Sequence, residues 1–420
     1  MRAMIRRGVF PLLLVLLFAA CGGGEEVEPT PTPSPAVAQP SPTPEPTPTA
    51  TPTPTPEPAV QRIAYISSTD GTVWIVNADG SSQTRLTDIP AFGPHWSPDG
   101  TRIAFAICEP VTPPDFGPCN DRIYVMNADG SNLTLLAEDI PSTDLDWSPD
   151  GARIAFASPD GVYIVSADGE PLLEVPAVRF IAWSPDGSSF AYVGDSGQVV
   201  LYDVASREQR SLDLAVSIDG VTAWVLGGKA ILVTSNVRDC GIICLQDVSL
   251  LELESGRLTR VPALDQGELE GCARQFWLSP DGSKIVFMTR DCTMAILDFS
   301  NLEVTPIQRA TLSYPSEGAP SHHLIFSPDG SQIYWADVGP GSDSTFSVTI
   351  YRAQSDGTGL TEVATLPGLL VWFSPDLMKV AYIESAGVGT LWLSDITGDG
   401  AIQIRRTRMD VGTEAWQPQP

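Results

Sequence analysis

The chain has few histidines and few basic residues. Its 420 residues include 3 His, 24 Lys plus Arg and 51 Asp plus Glu, so the formal net charge is −27. A surface this acidic repels the phosphates of nucleic acids, and we expect no nucleic-acid partner. Three histidines leave little material for a His-based metal centre, so we predict no metal and no cofactor. Calcium held by Asp-Gly turns stays an open alternative.

The sequence also lacks the common catalytic motifs. It contains no Gly-x-Ser-x-Gly, no His-Glu-x-x-His, no phosphate-binding loop and no Gly-x-Gly-x-x-Gly. Gly (36) and Pro (38) are frequent instead, which argues against a helical protein and for many turns.

The N-terminal segment indicates export. Arg2, Arg6 and Arg7 precede an apolar run from Val9 to Ala20, which is too short for a transmembrane helix. Leu17–Cys21 resembles the lipobox of bacterial lipoproteins. The resemblance implies that residues 1–20 are a signal peptide and that Cys21 receives lipid, so the protein would be extracytoplasmic and anchored to a bacterial membrane. An ordinary secretory signal with an incidental Cys21 is the alternative.

Residues 21–60 have the composition of a tether. They contain 13 prolines between Pro29 and Pro58, many in Thr-Pro pairs. Proline lacks an amide hydrogen, so we expect a disordered, polyproline-II-like spacer. At roughly 3.1 Å per residue its reach is on the order of 100 Å.

The rest of the chain, residues 61–420, is built from repeats. An aromatic residue followed by Ser-Pro-Asp-Gly begins at Trp96, Trp147, Trp183 and Phe326, and a fifth copy of the tetrapeptide is Ser279–Gly282. Phe373–Leu377 is a variant, the stretch at Trp224 is degenerate, and the last copy is cut off after Trp416. Apolar runs and an Asn-Ala-Asp-Gly type of turn follow, so one repeat predicts four antiparallel strands.

Four strands repeated in this way predict an all-β fold, a β-propeller of four-stranded antiparallel blades. Residues 61–88 supply three strands, and Thr413–Gln417 supplies one. We therefore predict that the C-terminal strand joins the N-terminal blade beside Arg62–Ile66 and closes a ring of eight blades. Seven blades is the alternative if the copy at Trp224 is not a blade.

These repeats resemble the WD40-like (PD40) repeats of TolB-type propellers, which carry the same aromatic-Ser-Pro-Asp-Gly and Asn-Ala-Asp-Gly elements. The resemblance implies a binding scaffold. TolB-type proteins have a small α/β domain before the propeller, and here a lipid signal and a Pro-rich segment stand in its place.

Six cysteines lie within the repeats, an even number that indicates disulfides in an exported chain. The hairpin register places Cys272 opposite Cys292. Cys240 and Cys244 flank one inter-strand loop, and Cys108 and Cys119 flank another. We predict the bridges 108–119, 240–244 and 272–292; a zinc site is the alternative for the last four cysteines.

Propellers usually bind ligands at a mouth of the central channel, where the innermost strands begin. The polar residues predicted there are His95, Asp144, Asp146, Arg179, Arg274, His322, His323 and Glu414. The anchor, the tether and the absence of a catalytic motif predict a non-catalytic binding module, expected to be a monomer, for a protein, a peptide or a cell-wall glycan. The alternatives are a hydrolase or lyase that uses channel-mouth His and Asp, a structural envelope component, and a merely solvated rim.

Overall fold

The structure is a computed structural model of the whole chain. It describes residues 61–109, 120–140, 145–158, 161–176, 181–194, 196–212, 214, 217–218, 220–235, 247–261, 276–288, 293–311, 324–340, 346–368, 370–384, 388–408 and 416–418. The predicted signal peptide, Cys21 and the predicted tether lie outside these residues.

The described residues form eight antiparallel sheets, called blades 1 to 8 in chain order. Blade 1 contains β1 (Arg62–Ile66), β2 (Val73–Asn77) and β3 (Thr84–Arg85). Blade 2 contains β4 (Phe92–Trp96), β5 (Arg102–Glu109), β6 (Asn120–Asn127) and β7 (Thr134–Ile140), and blade 3 contains β8 (Leu145–Trp147), β9 (Arg153–Ser158), β10 (Gly161–Ser166) and β11 (Pro171–Pro176). Blade 4 contains β12 (Ala182–Trp183), β13 (Ser189–Val193), β14 (Val199–Asp203) and β15 (Gln209–Leu212).

The other four blades repeat this plan. Blade 5 contains β16 (Gly220–Val225), β17 (Ala230–Ser235), β18 (Asp247–Glu252) and β19 (Leu258–Arg260), and blade 6 contains β20 (Phe276–Leu278), β21 (Lys284–Met288), β22 (Thr293–Asp298) and β23 (Glu303–Thr311). Blade 7 contains β24 (Leu324–Phe326), β25 (Gln332–Pro340), β26 (Phe346–Gln354) and β27 (Thr361–Pro367), and blade 8 contains β28 (Leu370–Phe373), β29 (Lys379–Ile383), β30 (Val388–Asp395) and β31 (Ile402–Arg408). A single 3-10 turn, Leu226–Gly228, follows β16. In this part of the chain no helix has the length and hydrophobicity needed to span a membrane.

The strands of blades 2 to 8 pair in chain order, so each blade is a four-stranded meander. The blades are arranged in a ring, which confirms the predicted all-β propeller with eight blades. The degenerate copy at Trp224 is a blade, because β16 pairs with β17 through Trp224 and Ile231. The seven-blade alternative is therefore wrong.

The C-terminal segment completes blade 1. Trp416 forms an antiparallel bridge with Ile63 of β1, and the amide of Gln417 donates to the carbonyl of Arg62 over 2.8 Å. The Arg62 side chain donates back to the Gln417 side chain over 3.1 Å. The two ends of the repeat region therefore meet as predicted.

The hydrophobic core lies between the blades. In the described part of the chain, buried apolar side chains form eight clusters, and each cluster joins two neighbouring blades. The cluster with Ile63, Ile383 and Trp416 joins blade 8 to blade 1. Strands in the second position are buried on both faces, as in β1 and β29, whereas the outermost β15 is largely exposed. This explains why the second strands are continuous apolar runs and do not alternate.

The Ser-Pro-Asp-Gly segments form the turns after the innermost strands. In the turn of blade 4, the amide of Gly187 donates to the carbonyl of Ser184 over 2.9 Å. Gly187 has a φ of +68°, and a Cβ at this position would lie 2.9 Å from Cγ of Asp150 in blade 3. Glycine therefore permits both the turn and the close approach of the neighbouring blade.

Candidate functional site

The innermost strands surround a channel on the axis of the ring. A cavity of about 830 Å³ in this channel is lined by residues of six blades, among them Trp96, Trp147, Phe326 and Trp416. A second cavity of about 490 Å³ adjoins blades 3 to 6 and shares Trp147 and Asp146 with the first. Volumes of this size suit a small molecule or a peptide segment.

The wall of the channel is apolar because of the repeat itself. Most copies place an aromatic residue at the end of an innermost strand and a proline two residues later, as in Trp147 and Pro149. Both residue types line the cavities in several blades. In blade 6 the aromatic position is held by Leu278, whose side chain is 36% exposed and lines both cavities.

Two polar side chains stand in this wall at the ends of neighbouring innermost strands. His95 lies in β4 and Asp146 lies in β8, and both line the larger cavity. The indole nitrogen of Trp147 donates to the backbone carbonyl of His95 over 3.3 Å, which ties the two strands together. Among the described residues that line it, the cavity therefore has one carboxyl and one imidazole, and the other side chains are apolar.

Asp146 faces the channel because side chains alternate along a strand. Its neighbours Leu145 and Trp147 are buried between blades, whereas the Asp146 side chain is exposed to the water of the channel. The surrounding walls nevertheless desolvate the carboxylate, and this raises the pKa of Asp146 to about 6. Within the described residues no hydrogen bond or ion pair reaches this carboxylate.

The turns at the same end of the channel form an anionic ring. Six turn aspartates each accept hydrogen bonds from a serine hydroxyl two residues earlier, at 2.5–2.7 Å, and from an amide two residues later, at 3.0–3.1 Å. They are Asp99, Asp150, Asp186, Asp281, Asp329 and Asp376. The hydroxyl of Ser327, with the amide and hydroxyl of Ser331, lowers the pKa of Asp329 to about 2.

Of the predicted site residues, His95 and Asp146 come together in the channel. Asp144, Arg179, Arg274, His322, His323 and Glu414 lie outside the described residues, in connections that lead into innermost strands. The walls of the cavity come from the ends of these strands, next to the Ser-Pro-Asp-Gly turns, and the prediction had considered only the mouth where the strands begin.

The predicted disulfides stay predictions. Cys108 lies in β5, where its backbone is opposite Asp121. Cys119, Cys240, Cys244, Cys272 and Cys292 lie outside the described residues. Among the residues that are described, no group of three or more His, Cys, Asp or Glu side chains could hold a metal ion.

Sequence reasoning missed the contribution of Leu278 and of the turn prolines to the cavity. In the structure the repeated aromatics pack between blades and also line the channel, as Trp96 and Trp147 do. The signal was present in the repeat, because in most copies the residue at this position ends an innermost strand.

No protein-family model matches the chain, and no curated protein matches it. Among solved structures, the dihydro-heme d1 dehydrogenase NirN in complex with DHE has a TM-score of 0.55 at 16% identity, over 86% of this chain and 77% of its own. A eukaryotic initiation factor has a TM-score of 0.50 at 12% identity, over 83% and 86%. TolB from Acinetobacter baumannii reaches 0.37 at 18% identity, over 70% and 77%. These identities show the propeller fold alone, and the TolB score is too low to support an argument.

Proposed function

We propose that the protein is a non-catalytic binding module that holds a peptide, a protein segment or a glycan of the cell envelope in the channel of its propeller. The observation that carries the proposal is the apolar channel cavity with two polar side chains, His95 and Asp146, in its wall. Concave, mainly apolar sites with a few convergent polar groups are typical of ligand pockets.

The ring supports a binding role because it is closed and rigid. Eight inter-blade clusters hold the innermost strands in place, so the walls of the cavity are formed before a ligand arrives. Such preorganisation lowers the entropy lost on binding.

A variant that fills the channel tests this function. We expect Leu278→Trp to abolish binding of envelope peptides or glycan fragments to the full-length, detergent-solubilised protein, measured by ligand-observed NMR. Met378→Trp is the matched control, because Met378 is 64% exposed and does not line either cavity. Retention of a bound fragment by both variants would place binding elsewhere, and turnover of the bound fragment would contradict the non-catalytic role.

The proposal includes a location outside the cytoplasm, with lipid on Cys21 and the Pro-rich segment as the tether. The sequence support is the basic start of the chain, the apolar run from Val9 to Ala20 and the Leu17–Cys21 match. We expect the chain to incorporate an alkyne-labelled fatty acid in a bacterial host, and Cys21→Ser to lose the label and the membrane association. Equal labelling of both proteins would contradict the anchor.

A hydrolase or lyase is the second candidate, because the raised pKa of Asp146 is a property of general bases. On this hypothesis Asp146→Asn would reduce turnover of an envelope polymer at least a hundredfold while leaving its binding intact. A wild-type protein that binds the polymer without turnover favours the binding module.

A further inference from the structure

Among the described residues, no cation pairs with the carboxylate of Asp146. The described residues that line the two cavities include no lysine and no arginine. The imidazole of His95 lines the larger cavity, and no ion pair joins it to Asp146 among the described residues. A partly desolvated carboxylate without a cation is unfavourable, so such a group is a position that a positively charged ligand would stabilise.

The environment of Asp146 adds apolar surface to this charge. Trp147, Trp183 and Trp224 line the smaller cavity together with Asp146. Indole rings and proline rings pack against methylene chains, and indole faces attract cations. The wall therefore favours a ligand whose charged end lies at Asp146 and whose stem is apolar.

The contact between blades 3 and 4 is incomplete beside Asp146. The indoles of Trp147 and Trp224 each donate to a carbonyl in the innermost strand of the preceding blade. Trp183 holds the same place in blade 4. Its side chain is 8% exposed, and its indole nitrogen has no hydrogen-bond partner in the part of the chain that the structure describes. By the repeat, the equivalent acceptor would be the backbone carbonyl of Asp146. Of the three contacts that these tryptophans make with the preceding blade, the one beside Asp146 is therefore the one without an indole–carbonyl hydrogen bond.

The approach to the channel is also anionic. The six turn aspartates follow the ends of innermost strands, at one of which Asp146 lies, and hydrogen bonds from serine hydroxyls and backbone amides lower the pKa of Asp186, Asp281 and Asp329. Arg153 forms an ion pair with Asp150 over 2.8 Å, and the other turn carboxylates attract cations and repel anions. Charge at the entrance and charge inside therefore select the same kind of ligand.

We propose that the channel binds an organic cation, an alkylammonium or guanidinium group on an apolar stem, with its charge at Asp146. This inference rests on the proposed binding function and names its ligand class. The cation can come from a free amine or from a lysine or arginine side chain of a peptide, since both present the same group.

Matched probes separate charge from hydrophobicity. The full-length, detergent-solubilised protein is titrated with hexylammonium, hexan-1-ol and hexanoate, which share one stem. We expect hexylammonium to bind about tenfold more tightly than hexanol and hexanoate to bind more weakly than either, because charge attraction adds to stem burial. Asp146→Asn should lose the tenfold preference and keep the affinity for hexanol.

Glu254→Gln is the control for net charge, because Glu254 is exposed between β18 and β19, lines neither cavity and leaves Asp146 in place. We expect it to retain most of the preference for hexylammonium. Equal binding of hexylammonium and hexanol by the wild type, or an undiminished preference in Asp146→Asn, overturns the inference while the binding function stands. Absence of binding by every probe, with Leu278→Trp indistinguishable from the wild type, overturns both.

A blocked Gly-Lys-Gly peptide distinguishes the two sources. Tighter binding of the peptide than of hexylammonium indicates a peptide side chain as the ligand, and weaker binding indicates a free amine. The preference for a cation is supported in either case only if Asp146→Asn removes it, and circular dichroism of this variant verifies that it is folded.

Discussion

The indole nitrogen of Trp416 donates a hydrogen bond to the backbone carbonyl of Trp372 over 2.9 Å, and this bond joins blade 1 to blade 8 where the ring closes. Trp224 makes the same bond to Ala182, at 2.8 Å, between blades 5 and 4. The closing contact therefore reuses a contact found between blades that are continuous in sequence. The short C-terminal segment can close the ring because Trp416 donates this hydrogen bond to blade 8 and packs in the apolar cluster between blades 8 and 1.

We predict that Trp416→Phe lowers the free energy of unfolding by about 2 kcal/mol. The buried carbonyl of Trp372 loses its hydrogen-bond donor, and the phenyl group fills less space than the indole. Urea unfolding of the full-length protein measures the change. Trp392→Phe is the control: Trp392 donates to Glu384 at an exposed position within blade 8, and its loss should cost less than about 1 kcal/mol. Equal losses of unfolding free energy in the two variants would show that the closing hydrogen bond stabilises the protein no more than an exposed one does.

The Ser-Pro-Asp-Gly serine is a second stabilising element of every blade that keeps it. The hydroxyl of Ser148 is buried, donates to Asp150 over 2.5 Å and accepts from the amide of Arg153 over 3.0 Å. Ser148→Ala leaves this amide without that acceptor, and we expect a loss of about 1–3 kcal/mol in unfolding free energy.

Ser81 provides the matched comparison for Ser148. Its hydroxyl donates to Asp79 over 2.6 Å in an Asn-Ala-Asp-Gly turn, and this turn is exposed to water. Because water can replace the bond, Ser81→Ala should cost under about 0.5 kcal/mol in the same denaturation experiment. A larger loss for Ser81→Ala than for Ser148→Ala would contradict the role of burial.

Arg102 joins blade 2 to blade 3. Its guanidinium donates to the carbonyls of Ala167 and Gly151 over 3.1 and 2.9 Å, and it lies 5.5 Å from the centre of the Trp147 ring. We predict that Arg102→Met lowers the unfolding free energy by about 2 kcal/mol, because charged hydrogen bonds to half-buried carbonyls are lost. Arg85→Met, at an exposed site, should cost less than about 0.5 kcal/mol in the same denaturation experiment. A similar loss from the two variants would argue against an inter-blade role for Arg102.

Much of the fold could be predicted from the sequence because the turn chemistry is local and repeats. Even the copy without the tetrapeptide forms a blade, since the apolar run at Ala230–Ser235 still pairs and Gly227 and Gly228 adopt positive φ. In the variant turn of blade 8, Leu377 takes the place of glycine at a φ of +59°. The pairing of β28 with β29 holds this turn in place, although leucine disfavours a positive φ.

The candidate site could be predicted less well because it depends on enclosure. The sequence places Asp146 one residue before a repeated tryptophan, which suggests the channel but gives no measure of its desolvation. That desolvation arises from other blades, whose residues are distant in sequence, such as Leu278 and Trp224. The same applies to the anionic ring, since its six members come from six different turns.

The pKa of Asp146 makes a prediction about stability and pH. Its folded value of about 6 lies above the ordinary value of 3.8, so the folded protein binds the proton more tightly than the unfolded chain. The stabilisation from this proton is complete below about pH 3.8 and is lost as the pH rises through 6. We therefore expect Asp146→Asn to match the wild type near pH 4 and to exceed its unfolding free energy by about 1 kcal/mol at pH 7.5, a value kept small by the water in the channel.

Asp186 gives the opposite sign in the same experiment. Hydrogen bonds from Ser184 and Ser188 lower the pKa of Asp186, so its contribution to stability is present above the ordinary value and is lost as the pH falls through the folded pKa. Asp186→Asn should therefore be less stable than the wild type at pH 7.5, and the difference should shrink in acid. Urea denaturation of both variants across this pH range measures the two trends. If Asp146→Asn followed the trend of Asp186→Asn, the carboxylate of Asp146 would have a stabilising partner in the folded protein, and the case for an external cation would fail with it.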